Sequence, residues 1–269
     1  MHRALERGEF RLFFQPIVGL SDARCVGAEA LVRWQHPERG LIPPAEFIPM
    51  AEETGLIVPI GWWVIEEAAR NAARWQLEHA DTFQVSINLS GRQVLQPDLA
   101  QRLAEVIAQT GVRPASLCFE ITESVLMDDA ETVIDVISSI RDLGVQLAID
   151  DFGTGYSSLG YLKRFPVDAV KVDRSFVSGL GSDPGDDAIV SAVIGLAHAL
   201  GLRVTAEGVE TEEQLMALID LDCDEAQGYF FSPPQPAPDL RSLLARTRTW
   251  RPPGATVMRP AGNTRRKAV

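Results

Sequence analysis

Two adjacent aspartates, Asp150-Asp151, follow the apolar run Leu147-Ala148-Ile149 and precede the glycine-rich Phe152-Gly153-Thr154-Gly155. The same pattern recurs along the chain, a short apolar segment giving way to an acid, an amide or a cation. Glu29 and Arg33 mark one such segment, Asn88 a second, and Glu120 a third with Glu123 just beyond. Lys171 and Asp173, Glu207 and Glu210, and Gln227 complete the series. Five or more carboxylates facing one another cannot all ionise without counter-charge, because repulsion raises their pKa values. Hard divalent cations meet that need, and Mg²⁺ or Mn²⁺ suits carboxylate, amide carbonyl and water ligands. In an Asp-Asp pair one carboxylate can bridge two ions while its neighbour holds the second. Two-metal sites keep their ions roughly 3.5–4 Å apart and clamp both oxygens of a phosphoryl displacement. Lys171 would position the attacking water or neutralise the phosphate, and Glu207 could act as general base.

Residues so far apart in sequence need a scaffold that gathers them. Short apolar runs near Phe10–Val18, Cys25–Val32, Phe83–Leu89, Leu117–Ile121, Gln146–Ile149, Ala169–Val172, Arg203–Ala206 and Glu225–Phe230 read as strands. Helix-period segments at Ile57–Glu78, Ala130–Leu143, Ala188–Leu200 and Glu212–Ile219 lie between them. Thr211 with Glu212 and Glu213 marks a helix start, and Gly144 and Gly201 mark stops. Eight strands in this rhythm predict an α/β fold, a (βα)8 TIM-like barrel whose chemistry sits at the carboxyl ends of its strands. Only six residues separate Val18 from Cys25, too few for a crossover helix. The barrel is therefore modified, its first strand antiparallel to its second.

The 269 residues are 46% hydrophobic and 23% charged, as in an ordinary globular enzyme. The formal charge is −12, but residues 246–269 hold six Arg and one Lys with no acid. The remainder carries 18 basic and 37 acidic residues, or −19, which repels DNA. The longest uncharged apolar stretch, Ala188 to Leu202, is too short to span a bilayer and reads as a buried helix. No apolar leader follows the N-terminus. Cys25, Cys118 and Cys223 show no metal-ligand spacing and fit a reducing, cytoplasmic setting. We expect one domain over residues 1–245 and a flexible basic tail over 246–269. Arg3-Ala4-Leu5-Glu6-Arg7-Gly8 reads as a helix end, compatible with attachment to another domain.

Ordered motifs now coincide: Gln15-Pro16-Ile17, Glu29-Ala30-Leu31 with Arg33, Asn88-Leu89-Ser90, Glu120-Ile121-Thr122-Glu123, and Asp150 through Gly155. Lys171-Val172-Asp173, Ala206 through Glu210, and Gln227-Gly228-Tyr229-Phe230 follow. Together they resemble the EAL-domain phosphodiesterases, which hydrolyse cyclic di-GMP to linear pGpG, over about residues 5–245. The resemblance implies that Glu29, Asn88, Glu120 and Asp150 ligate a first metal, with Asp150 bridging to a second that Asp151 also holds. It implies Glu207 as general base and Lys171 as the residue orienting the water. Gln15, Arg33 and Gln227 match dinucleotide contacts, Arg33 on a phosphate, and Glu210 a supporting or substrate contact; Asp173 joins them on the substrate side. The loop Asp151–Ser158 resembles one that couples the metals to dimerisation, with Glu123 as anchor. A homodimer, and a sensor or cyclase domain upstream, are further implications.

Plainer readings stand beside these. A lone Asp-Asp before glycines is more often a turn, and Gly153-Thr154-Gly155 lacks the lysine of a phosphate loop. His36, His79 and His198 lack metal spacing, and Trp62, Trp63 and Trp75 fit a packed helix. Two rival functions remain: a receptor that holds the dinucleotide without cutting it, and a barrel enzyme of another chemistry, such as glycoside hydrolysis by paired carboxylates.

Overall fold

In the computed structural model, residues 1–76, 83–128, 130–154, 162–247 and 249–250 are described. A helix α1 (His2–Glu6) leads into the hairpin β1 (Phe10–Gly19) and β2 (Arg24–His36). Their antiparallel ladder sets Gln15 opposite Glu29, and the tight turn places Ala23 at φ 58°. The short strand β3 (Gly40–Ile42) precedes helices α2 (Pro44–Glu53) and α3 (Ile57–Trp75). Then come β4 (Gln84–Asn88), α4 (Gly91–Val94), α5 (Leu99–Thr110), β5 (Leu117–Thr122), α6 (Glu123–Asp128), α7 (Ala130–Arg141) and β6 (Gln146–Phe152). After it come β7 (Ala169–Val172), α8 (Arg174–Val177), α9 (Pro184–Ala199), β8 (Arg203–Ala206), α10 (Glu212–Asp220), β9 (Glu225–Gln227), β10 (Gln235–Pro236) and α11 (Ala237–Arg246).

Strands β2, β4, β5, β6, β7, β8 and β9 run parallel in that spatial order, and β1 closes the ring. It pairs antiparallel with β2 on one side and with β9 on the other. The expected barrel and its reversed first strand are thus present. The last strand stops at Gln227 rather than Phe230, and β2 runs four residues past the expected Val32. Helix α2 carries Pro44 at its first turn and Pro49 inside it, which hid its period in the sequence.

The strands are apolar on their outer faces, where Ala28, Val85, Ile87, Phe119, Ile121, Leu147, Ile149, Val170, Val172 and Val204 pack beneath the helices. Their inner faces read differently. Gly27, Ser86, Cys118, Ala148, Ala169 and Thr205 line the lower barrel with small side chains. Below them Arg203 donates to Glu225 Oε1 at 2.6 Å, to Gln84 Oε1 at 3.3 Å and to Gln146 Oε1. Thr205 Oγ1 donates to the other Glu225 oxygen. Arg203, Gln84, Gln146 and Glu225 each open their strands, so this network closes the floor. Chemistry is left to the upper rim.

One expectation needs adjusting. The helix read as buried, α9, exposes Ala188, Ile189 and Ala192, so only one face packs inward through Val190, Val193, Ile194 and Ala197. Beyond α11, Trp250 is still anchored: its amide donates to Ala23 O at 2.7 Å and its indole to Phe231 O at 3.3 Å. No helix among the described residues is long and apolar enough to cross a membrane. The three cysteines are free thiols, each pushed up to about 12 by burial. Trp62 and Trp75 are core residues and Trp63 is half-buried. His36 accepts two turn amides and His198 pairs with Asp224 at 3.0 Å. His79 lies outside the described residues.

Candidate active site at the barrel mouth

Lys171 stands on β7, and its ammonium takes the centre of the upper barrel. It lies 2.5 Å from Glu207 Oε1, 2.7 Å from Glu120 Oε2, 3.4 Å from Asp150 Oδ1 and 3.6 Å from Glu29 Oε2. These acids come from β2, β5, β6 and the end of β8, so strand alternation alone brings them together. Both Lys171 and Glu120 are buried. Burial opposes the charge on Lys171, but the four carboxylates outweigh it and hold the ammonium well above its usual pKa. Glu120 is pushed well up by burial, with repulsion from Glu29, Asp150 and Glu207 set against the pull of Lys171. Glu207 rises to about 8, again chiefly through burial.

Glu29 is oriented by amides. Asn88 Nδ2 donates to its Oε1 at 2.8 Å, and Gln227 Nε2 to its Oε2 at 2.5 Å. Gln227 also reaches Gln15 Oε1 at 3.1 Å, and Gln15 Nε2 in turn donates to Ser232 O. Gln15 and Gln227 are thus buried in a chain that fixes Glu29. The carbonyl of Ser232 belongs to that chain too, and a backbone contact leaves no signal in sequence.

Asp150 and Asp151 sit where the β6–β7 register shifts, between Ile149 and Phe152. Such a bulge re-aims side chains, and Asp151 takes φ 54° to follow it. Both carboxylates can then turn toward the mouth. Burial raises the Asp151 pKa, with Asp150 and Asp173 adding repulsion. Glu123 Oε2 accepts from the amide of Gly153 at 3.1 Å, tying α6 to the turn after the bulge. The loop expected over 151–158 is described only to Thr154.

Arg33 is half-buried, its guanidinium 5.7 Å from the Phe13 ring centre. Asp173 spends its carboxylate as the cap of α8, accepting from Ser175 N and Oγ. Glu210 is exposed at the rim. An apolar cavity of about 280 Å³ opens beside Asn88 between β2, α2 and α3, lined by Leu31, Ile48, Ile57, Val64 and Leu89.

Among the described residues no three acids, histidines or cysteines already stand at metal-binding spacing; the Lys171 ammonium lies among four of the acids. The donor set still fits divalent cations. Four carboxylates share a single ammonium, and Asp150 Oδ1 is buried with no hydrogen bond, having only the 3.4 Å approach of Lys171. Asp151 brings a fifth acid at the rim. Hard oxygen donors in such excess are what Mg²⁺ or Mn²⁺ takes.

The family profile described as "EAL domain" matches residues 1–234. The bifunctional diguanylate cyclase/cyclic di-GMP phosphodiesterase MucR of Pseudomonas aeruginosa is 43% identical over 246 residues, which are 91% of this chain and 36% of MucR. The signaling protein YkoW of Bacillus subtilis is 42% identical over 91% of this chain and 30% of its own length. The chain spans about a third of the length of the curated relatives it matches. Among solved structures, the MucR phosphodiesterase in complex with c-di-GMP superposes with TM-score 0.86 at 42% identity, over 89% of this chain and 97% of that one. The EAL enzyme Bd1971, bound to cAMP and cyclic di-GMP, gives 0.87 at 39% identity, over 90% and 66%. By profile, sequence and fold alike, the chain belongs to the EAL domain family.

Proposed function

We propose that this domain hydrolyses cyclic di-GMP to linear 5′-pGpG with two divalent ions, Mg²⁺ or Mn²⁺. The observation that carries the reading is the ring of four carboxylates, three of them buried and Glu207 half-buried, around one lysine at the barrel mouth. Glu29, Asn88, Glu120 and Asp150 would hold one ion, and Asp150 with Asp151 the other. Bound there, the ions would supply charge neutralisation for the phosphodiester and lower the pKa of a nucleophilic water. Glu207, held against Lys171 at the end of β8 and kept ionised by the bound ions, would take the proton of the attacking water. Lys171 keeps Glu120 and Glu207 in register and offers that water a donor. Gln15 and Gln227 align Glu29, and their outer edges border the ligand. Arg33 pairs with a phosphate, Asp173 and Glu210 line the rim, and the apolar cavity beside Asn88 suits a purine ring. Glu123 anchors the turn that carries Asp151.

The reading extends to a cytoplasmic enzyme of 1–245 with a tail beyond, working as a homodimer. The exposed apolar side of α9 at Ala188, Ile189 and Ala192 supports self-association. The greater length of the relatives supports a companion cyclase or sensor domain. Incubation with cyclic di-GMP, with Mn²⁺ or with a chelator, followed by chromatography, is the test. A single pGpG product that needs the metal is expected. Tight binding without product would make the domain a receptor, and cleavage that survives the chelator would overturn the metal assignment.

A further inference from the structure

Arg174 follows Asp173 at the start of α8 and takes no part in the ring around Lys171. It is exposed, and no ion pair or hydrogen bond ties its guanidinium to a described residue. Asp173, the nearest acid in sequence, is committed to Ser175. The root of the arginine is nevertheless fixed. A Cβ built on Gly208 would fall 2.4 Å from Arg174 Cβ and 3.7 Å from its Cγ. Gly208 follows Glu207 and takes φ 73°, so the absence of a side chain there lets the arginine stem cross the turn that carries the proposed base. Two residues on, Phe176 approaches Gly153 in the same way, at 3.1 Å. Helix α8 is thus wedged between the Asp151–Gly153 turn and the Glu207–Gly208 turn.

Charge gives this placement meaning. A phosphodiester ligand must enter a mouth ringed by Glu29, Asp150, Asp151, Asp173, Glu207 and Glu210. Lys171 is buried and engaged with four of the acids around it. Arg33 lies on β2, on another side of the rim. We propose that Arg174 is a substrate-positioning residue, pairing from the Glu207 side with a phosphodiester oxygen of the cyclic dinucleotide. This deepens the proposed function and rests on it.

The test compares wild-type protein with Arg174→Gln and Arg174→Lys. Binding of cyclic di-GMP is measured by calorimetry in chelator, and steady-state hydrolysis in Mn²⁺ at low and high salt. Removing one charge-assisted hydrogen bond should weaken binding and raise KM about tenfold in Arg174→Gln, with kcat within about twofold. Arg174→Lys should recover part of that affinity, and the rise of KM with salt should be shallower in the glutamine variant. Unchanged Kd and KM in a variant that melts with wild type would overturn the assignment while leaving the function standing. Wild-type protein that neither binds nor cuts would remove both.

Discussion

Lys171 Nζ lies 2.7 Å from Glu120 Oε2, and both side chains are almost wholly shielded from water. A buried pair of this kind is expensive to break from one side, at about 3–5 kcal/mol, because the partner charge is left uncompensated. Here three further carboxylates lean on the same ammonium.

Lys171→Met should therefore destabilise the metal-free protein by at least that amount, and reduce turnover strongly. Metal should rescue the fold. Mn²⁺ should raise the melting temperature of Lys171→Met more than that of wild type, since the ions would supply the missing positive charge. Thermal melts with and without Mn²⁺ measure this; equal shifts in the two proteins would separate the lysine from the metal site.

Asp151→Asn tests the second ion without disturbing the bulge. Asparagine tolerates positive φ better than most residues, so the backbone at 54° is retained. Turnover should fall by about two orders of magnitude or more, while cyclic di-GMP binding in chelator and the melting temperature stay near wild type. Loss of binding in parallel would instead assign Asp151 to the substrate.

Much of this was legible in sequence because strand alternation is a strict code. Once the runs ending at Asn88, Glu120, Asp150, Lys171 and Glu207 are parallel strands, their polar residues must face one axis. The antiparallel first hairpin followed from the length of one loop. Other features had no such code. The floor formed by Arg203, Gln84, Gln146 and Glu225 joins four strand-opening residues that look like ordinary surface positions until the barrel closes. Gly228, whose added Cβ would lie 2.0 Å from Val209 O, owes its identity to a tertiary approach. Lys171 becomes the centre of the ring, rather than one member of its edge, only through the reach of its side chain across the closed barrel.

The floor behaves differently from the mouth. Arg203→Met would leave Glu225, Gln84 and Gln146 without their shared donor. The pair is partly exposed, at 37% and 13%, so the expected loss is about 1–3 kcal/mol. Because the network closes the end opposite the mouth, kcat and KM of the folded variant should match wild type. Urea denaturation and steady-state kinetics together check this. A kinetic defect without a stability change would show that the floor reaches the chemistry.

Glu207 also ties stability to pH. Its carboxyl is raised from an ordinary 4.5 to about 8 in the folded, metal-free protein, chiefly by burial and against the pull of Lys171. Between those values the folded state holds a proton that the unfolded chain has released. Stability must then fall as pH rises through this window, having been fully present below it. Glu120 is shifted in the same direction and adds to the slope. Glu207→Gln, which cannot ionise, should flatten the decline in melting temperature between about pH 5 and 8 in chelator. Saturating Mn²⁺ should flatten it in wild type as well, because bound cations favour the ionised carboxylates. A metal-free wild type that grows more stable across that same range would mean that Lys171 holds Glu207 ionised throughout.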